Sequence, residues 1–431
     1  MMIGTVEIML WGKRIGTLHQ SENDPAAIFE YDHEFQKSGI QLAPFKMPLS
    51  DRLYSFPELS GLSAFRGMPG LAADSLPDKF GNTIIDMWLR HNGRPAGSMT
   101  ALERLCYTGK RGMGALEFVP AENVGVSDAM LDVTELTRLA SEILSDKEGH
   151  VYRADDVTAA QMLEIGSSAG GSRAKAVIAW NENTGEVRSG QIDLPPEFSH
   201  WLIKFDNVNN NGDHGEKDGK QYTSIEYAYH LMAKDLGIDM SECRLLKKEG
   251  MSHFMTRRFD RDGKRKIFVQ TLAALGHFDF NEPGACGYET YADYARRLGI
   301  GRTGIEQIFR RMAFNVVSMN CDDHVKNVSF IMDREGRWKL SPAYDLTFAY
   351  NPSNRWLKGH QMTVNGKSSD ILDEDMLACG RKMNLNRTFC SKVIKETRDI
   401  VRGWPQYAEG CGISEGTIRT IDRIMNDRDS N

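Results

Sequence analysis

The segment Asn320-Cys321-Asp322-Asp323-His324-Val325-Lys326-Asn327 concentrates reactive side chains: two adjacent carboxylates, an imidazole, an ammonium and an amide. It follows an apolar helical stripe and precedes Val328-Ser329-Phe330-Ile331-Met332, which reads as a strand. Asp333-Arg334-Glu335-Gly336 reads as a turn, and Trp338 to Leu340 as a returning strand that delivers Ser341-Pro342-Ala343-Tyr344-Asp345. A hairpin brings its two ends together, so Asp345 is expected near Asp322 and Asn327. Such a set suits phosphoryl transfer. That chemistry needs a carboxylate to orient and deprotonate the attacking hydroxyl, and hard oxygen ligands to hold Mg²⁺ against the phosphates of ATP.

An Asp followed five residues later by Asn, then by a second Asp after a hairpin, is the protein-kinase arrangement. On this reading Asp322 is the base, and Asn327 and Asp345 are the metal ligands. Any one Asp is more often a cap or a surface group. The whole set on apolar elements in this order weighs against that. His324 lacks companion histidines at ligand spacing, so it is read as shaping the loop or contacting phosphate rather than holding a metal.

Upstream, the small-residue loop Ser167 to Lys175 is able to present backbone N–H groups to phosphates. It matches neither GxxxxGK[ST] nor GxGxxG, and alone it reads as a glycine-rich turn. Lys204 follows on a strand, Trp201 to Asp206, whose alternation sends Leu202 and Lys204 to one side and Ile203 and Phe205 to the other. Strand lysines commonly snorkel to water; here Lys204 is expected to hold α/β-phosphate oxygens. Glu226, early in the next helix, is either its ion-pair partner or an ordinary exposed glutamate. Arg257-Arg258-Phe259-Asp260-Arg261 is either a hinge against adenine or a charged strand end.

The elements that must position these groups are legible in outline. Val6, Ile8 and Leu10 alternate, Gly12 marks a turn, and Ile15 and Leu18 sit on a second strand, giving a hairpin over residues 3 to 20. Loops run to about Gly70. Asp74-Ser75-Leu76-Pro77-Asp78 looks like a helix start. Leu136, Leu139, Ala140, Ile143 and Leu144 share a helix face after Asp132. Ala176 to Trp180 is an apolar segment with a polar turn after it. Residues 207 to 222 read as a mobile polar loop, and a helix runs from about Ser224 to Leu236, ending at Gly237. From 267 onward the chain reads as mainly helical, the clearest stripe being Ile305, Ile308, Phe309, Met312, Val316 and Met319.

Bulk properties bound the rest. A chain of 431 residues exceeds what one core usually holds. At 41% hydrophobic and 26% charged it is an ordinary globular composition. A net charge of -6 argues against a non-specific nucleic-acid binder. Seven scattered cysteines with no CxxC pair argue against a disulfide framework or zinc site and fit a reducing compartment. Met1-Met2-Ile3-Gly4 has no basic region followed by an apolar stretch, and no apolar run approaches the roughly 20 residues of a membrane span. A cytoplasmic protein without membrane contact is expected.

At these residues the sequence resembles the HipA family, the serine/threonine-protein kinase toxins of bacterial toxin–antitoxin systems. The resemblance is carried by Ala73 to Asp78, Ser168-Ala169-Gly170-Gly171 through Lys175, Leu202-Ile203-Lys204, and Arg258 to Arg261. It continues through Asp322 to Asn327 and Ser341 to Leu346. It implies an α+β, bilobal, protein-kinase-like fold. The parts would be a β-rich N-terminal subdomain (1–125), a nucleotide-binding lobe (126–265) and an all-α C-terminal lobe (266–431). It assigns ATP contacts to Gly170, Gly171, Ser172, Arg173, Ala174, Lys175, Lys204, Arg257, Arg258, Phe259, His324, Val325, Lys326, Asn327, Tyr344 and Asp345, and makes Asp322 the catalytic residue. It implies autophosphorylation of Ser168, which expels the glycine loop and switches the kinase off, and a part in persistence. Residues 207 to 222 stand in the place of the activation segment. The implied substrate is an aminoacyl-tRNA synthetase, glutamyl-tRNA synthetase in the usual case. The implied partner is a small helix-turn-helix antitoxin, HipB-like, that carries most of the DNA contact. Arg257 departs from the hinge glutamate of some relatives.

Two other classes share part of this signature. A small-molecule phosphotransferase of the aminoglycoside or choline kinase type would also place Asp322, His324 and Asn327, but has no need of the first 150 residues. A non-catalytic docking module would not need Lys204, Asp322, Asn327 and Asp345 together.

Overall fold

The computed structural model describes residues 3–21, 23–121, 129–145, 165–166, 173–192, 194–208 and 221–426. It divides into two compact units. The first holds residues 1–220, 246–270 and 274–277; the second holds 221–245, 271–273 and 278–431.

The first unit begins with the expected hairpin, Thr5–Leu10 against Lys13–His19. Its turn residues Trp11 and Gly12 both have left-handed backbones (φ 51° and 80°), a twist that matches the two strands. Val6, Ile8 and Leu10 are buried, as their alternation requires. The sheet has five strands in the order 54–55, 28–31, 13–19, 5–10, 116–119. Two of these lie in the stretch read as loop, because strands of four and two residues are too short to show alternation. The helix Lys79–His91 starts where Asp74 to Asp78 indicate it, with Asp78 as its N-cap accepting from Gly81 N at 2.6 Å.

A second five-stranded sheet runs in the order 187–189, 175–180, 199–204, 251–257, 243–248, of which the first four and residues 246–248 belong to this unit. One face of it, carrying Ala176, Ile178, Trp201, Ile203, Phe205 and Met255, packs into a single cluster with Leu136, Leu139 and Ile143 of the helix Val133–Ser145. Phe80, Ile84 and Ile85 of the helix Lys79–His91 enter the same cluster. The expected division near residue 125 therefore does not separate two cores. A buried ion triad ties the same parts together: Asp260 Oδ2 lies 2.6 Å from Arg258 and 2.7 Å from Arg261, and accepts from Gly114 N at 2.7 Å. Burial alone would raise the Asp260 carboxyl, but the two guanidiniums hold it well below the usual carboxylate range.

The second unit is mainly helical: Tyr222–Asp235, Tyr288–Arg297, Arg302–Val317, Asp373–Lys382, Arg387–Arg402, Trp404–Gly410 and Glu415–Asn426. The helix Tyr222–Asp235 stops at Gly237 (φ 75°), as the sequence indicated. It does not stay with the residues around it in sequence. Tyr229 packs edge-on against Phe314 and Trp404, with centroids 5.8 and 5.7 Å away, so this helix joins the C-terminal core. The stripe Ile305, Ile308, Phe309, Met312 and Val316 is buried, while Met319 lies beyond the helix end with φ 60°. Among the described residues no helix is long and apolar enough to cross a membrane.

The triad makes the division of the first unit testable. Asp260→Ala would leave two buried guanidiniums uncompensated, at about 3–5 kcal/mol. Urea unfolding should then show residues 1–119 and the second sheet losing stability together. A variant whose N-terminal part melts unchanged would contradict the shared core.

Candidate active site

Three local features bring the reactive loop together in the second unit. The strand Ser329–Met332 pairs antiparallel with Trp338–Leu340, in the register Phe330↔Leu340 and Met332↔Trp338. Ser341 N continues the ladder to Ser329 O at 3.1 Å. Past the open end, Tyr344 Oη donates to Lys326 O at 3.0 Å, and Asn320 Nδ2 donates weakly to Asp345 O at 3.5 Å. The expected convergence of the two hairpin ends is therefore present. Asp345 itself has a left-handed backbone (φ 54°), rare for a residue other than glycine.

Asn327 Nδ2 donates to the carbonyl of Asp322 at 2.9 Å. That bond commits the amide nitrogen and leaves Oδ1 as the side chain's remaining hard-oxygen donor. Together with the carboxylate of Asp345, this donor set fits Mg²⁺, which binds through one or two protein oxygens plus nucleotide phosphates. Among the described residues no three His, Cys, Asp or Glu side chains form an all-protein metal cage. Asp322 is half-buried, open enough to meet a hydroxyl. His324 packs against Phe280 at 5.5 Å between centroids, and Lys326 Nζ lies 5.3 Å over the same ring. That contact orients the His324 ring within the loop.

Asp323 faces the other way. It is fully buried and accepts from three donors: Tyr288 Oη at 2.7 Å, His360 Nδ1 at 3.1 Å and Gln361 N at 2.8 Å. The network continues from Tyr288 Oη to Asn315 Nδ2 at 2.8 Å, and from Asn315 Oδ1 to Asn320 Nδ2 at 3.0 Å. Asn320 is the residue that reaches Asp345 O, so one buried chain links the reactive loop to the second hairpin end. Burial would push His360 down, but the Asp323 carboxylate beside it lifts it to about 10. Sequence reading missed Tyr288, Asn315, His360 and Gln361. Asn315 joins only through Tyr288 Oη; Tyr288, His360 and Gln361 reach Asp323 because two-residue strands, Cys286–Gly287 and Met362–Thr363, pair in parallel just beside them. Elements that short leave no periodic signal.

In the first unit, Lys175 and Lys204 stand directly opposite each other on antiparallel strands, both buried. Opposed residues point to the same face, so two ammonium groups share one side of the sheet. Lys204 therefore does not snorkel; its ammonium lies 5.8 Å over the Phe254 ring. Ala174 is buried, and its carbonyl accepts from Phe205 N at 3.2 Å. Arg173 is half-buried. Arg257 is exposed at a strand end and Phe259 half-buried. The Arg258 guanidinium is committed to Asp260, and its backbone N–H to His200 O at 2.9 Å. Any nucleotide contact expected of Arg258 is thus not made by a free side chain. Glu226 is buried rather than exposed, in the helix Tyr222–Asp235 of the second unit. Ser168, Gly170, Gly171 and Ser172 lie outside the described residues, as does most of the loop 207 to 222.

The sequence model of the HipA-like C-terminal domain matches residues 167–404, and that of the HipA N-terminal domain matches residues 6–119. The chain belongs to the HipA family. The fold agrees: HipA of Shewanella oneidensis MR-1, solved with HipB and operator DNA, superposes with a TM-score of 0.68 at 16% identity, covering 98% of this chain and 96% of that one. Curated relatives include "Putative kinase Y4dM" of Sinorhizobium fredii, 23% identical over 55% of this chain and 60% of its own length. A Haemophilus influenzae relative of the same general designation is 30% identical over 33% of this chain and 46% of its own length. The matches thus span less than two thirds of either relative. The resemblance read from the motifs holds for the family and for the mixed α/β, HipA-like fold.

The buried pair behind the loop makes a pH-dependent prediction. His360 is charged across neutral pH, so its stabilisation is complete below about 6.5 and drains away as pH rises through about 10. His360→Leu should cost about 3–5 kcal/mol at pH 7 by leaving the Asp323 charge buried without its cationic partner. Urea titrations at stepped pH should show the gap between wild type and variant closing from pH 7 to 10. A gap independent of pH would contradict the charged pair.

Proposed function

We propose that this protein is an ATP- and Mg²⁺-dependent serine/threonine protein kinase of a HipA/HipB-like toxin–antitoxin system. The observation that carries the reading is Asn327, whose amide nitrogen is tied to the Asp322 carbonyl while the hairpin returns Asp345 to the same loop. Asp322 accepts the proton of an incoming protein hydroxyl as its oxygen attacks the γ-phosphorus. The bond from that phosphorus to the β–γ bridging oxygen breaks, and ADP leaves. Asn327 and Asp345 would hold Mg²⁺, which supplies charge neutralisation on the phosphate oxygens. In the first unit, the buried ammonium groups of Lys175 and Lys204 would take phosphate oxygens, with Gly170 to Ala174 contributing backbone donors.

Family membership supports a protein hydroxyl as the proposed substrate class, with an aminoacyl-tRNA synthetase such as glutamyl-tRNA synthetase as the first to test. Ser168 is the proposed autophosphorylation site, and a HipB-like antitoxin the proposed partner and carrier of DNA contact. The shared core of residues 80–85 with the second sheet favours this over a small-molecule phosphotransferase, which would not need the N-terminal domain.

With labelled ATP and a cell lysate, wild type should label protein, and Asp322→Asn should lose transfer by at least about 100-fold, the scale of a general base. Full-rate transfer by Asp322→Asn would refute the assignment. Ser168→Ala should remove the self-label but keep transfer to other proteins; mass spectrometry locating the phosphate elsewhere would contradict it.

A further inference from the structure

The motif Ala73 to Asp78 has a structural role as a helix start, but its last residue does more. Asp78 divides its carboxylate between two tasks. Oδ1 accepts from Gly81 N at 2.6 Å and caps the helix Lys79–His91. Oδ2 lies 3.8 Å from Nζ of Lys175, with both side chains buried. Lys175 opens the strand Lys175–Trp180, stands directly opposite Lys204, and follows the glycine loop. Like charges placed opposite each other on a sheet repel, and a buried ammonium needs a counter-charge to remain charged and in place. Here a counter-charge comes from residues 6–119, the N-terminal domain, rather than from the sheet that carries the lysine.

We propose that Asp78 is a positioning residue for the nucleotide site: it holds the Lys175 ammonium where a polyphosphate is received, so the N-terminal domain sets nucleotide affinity. The inference rests on the nucleotide reading of Lys175 and Lys204 given above. It assigns the N-terminal domain a direct part in phosphotransfer, through a residue that touches neither substrate nor phosphate. The helix cap fixes Asp78 to the first turn of Lys79–His91. Phe80, Ile84 and Ile85 fix that helix in the core under the sheet. Rigid placement of the carboxylate is what a positioning role requires.

The cap and the charge are separable. Asn caps a helix as well as Asp does, so Asp78→Asn removes the charge and keeps the helix start; Asp78→Ser is a second cap-preserving change. The full-length protein is titrated with Mg²⁺ and a non-hydrolysable ATP analogue by calorimetry, with melting followed in parallel. Both variants should bind the analogue about tenfold more weakly than wild type, the loss of one charge-assisted contact, while melting within a few degrees of it. Lys175→Met should weaken binding too, and adding Asp78→Asn to it should weaken binding no further. Wild-type affinity in Asp78→Asn, or tighter binding, overturns the positioning role and leaves the nucleotide reading standing. Failure of wild type to bind the analogue at all overturns both.

Discussion

A carboxylate buried in a protein interior is tolerated only when its lone pairs are used and its charge is answered. Asp323 meets that constraint, and the geometry of the reactive loop follows from it. Its partners arrive from a helix start at Tyr288 and from the approach to a short strand at His360 and Gln361. Through Tyr288 and Asn315 the same network reaches Asn320 and the carbonyl of Asp345. Asp322, one residue along, inherits a fixed backbone and keeps its own side chain half-exposed. Two adjacent aspartates thus divide the work, one anchoring the loop and the other meeting solvent.

The first unit applies the same electrostatic logic to the opposite sign. Buried cations at Arg258, Arg261 and Lys175 are each met by a buried carboxylate, Asp260 or Asp78. The Lys175–Asp78 contact crosses from the second sheet to the N-terminal domain, as do the bonds of Asp260 and Arg261 with Gly114. With Phe80 and Ile84 in the common cluster, the N-terminal domain is part of the body that carries the lysines rather than an appendage to it.

How far the sequence reveals this depends on the range of each interaction. The hairpin around Asp333 to Gly336 is local, so its turn residues between two short strands predict the approach of Asp345 to Asn327. The helix start at Asp78 is local too. Asp322 and Asp323 are indistinguishable as letters, and what separates them is a histidine 37 residues away, delivered by strands too short to leave a pattern. The helix Tyr222–Asp235 is readable as a helix but not in its allegiance, because Tyr229 packs on Phe314 and Trp404 from distant parts of the chain. The burial of Lys204 was likewise hidden: alternation gave its side of the strand, while the opposing Lys175 and the Phe254 ring depend on strand order.

The central claim is that Asn327 and Asp345 present their oxygens to one metal-bound triphosphate while Asp323 stays locked behind them. A crystal structure with Mg²⁺ and a non-hydrolysable ATP analogue tests it most directly. The account predicts a magnesium ion touching Asn327 Oδ1 and the Asp345 carboxylate, with Tyr288 and His360 still bonded to Asp323. Magnesium and phosphates bound elsewhere, or a metal drawing Asp323 out of its network, would contradict it.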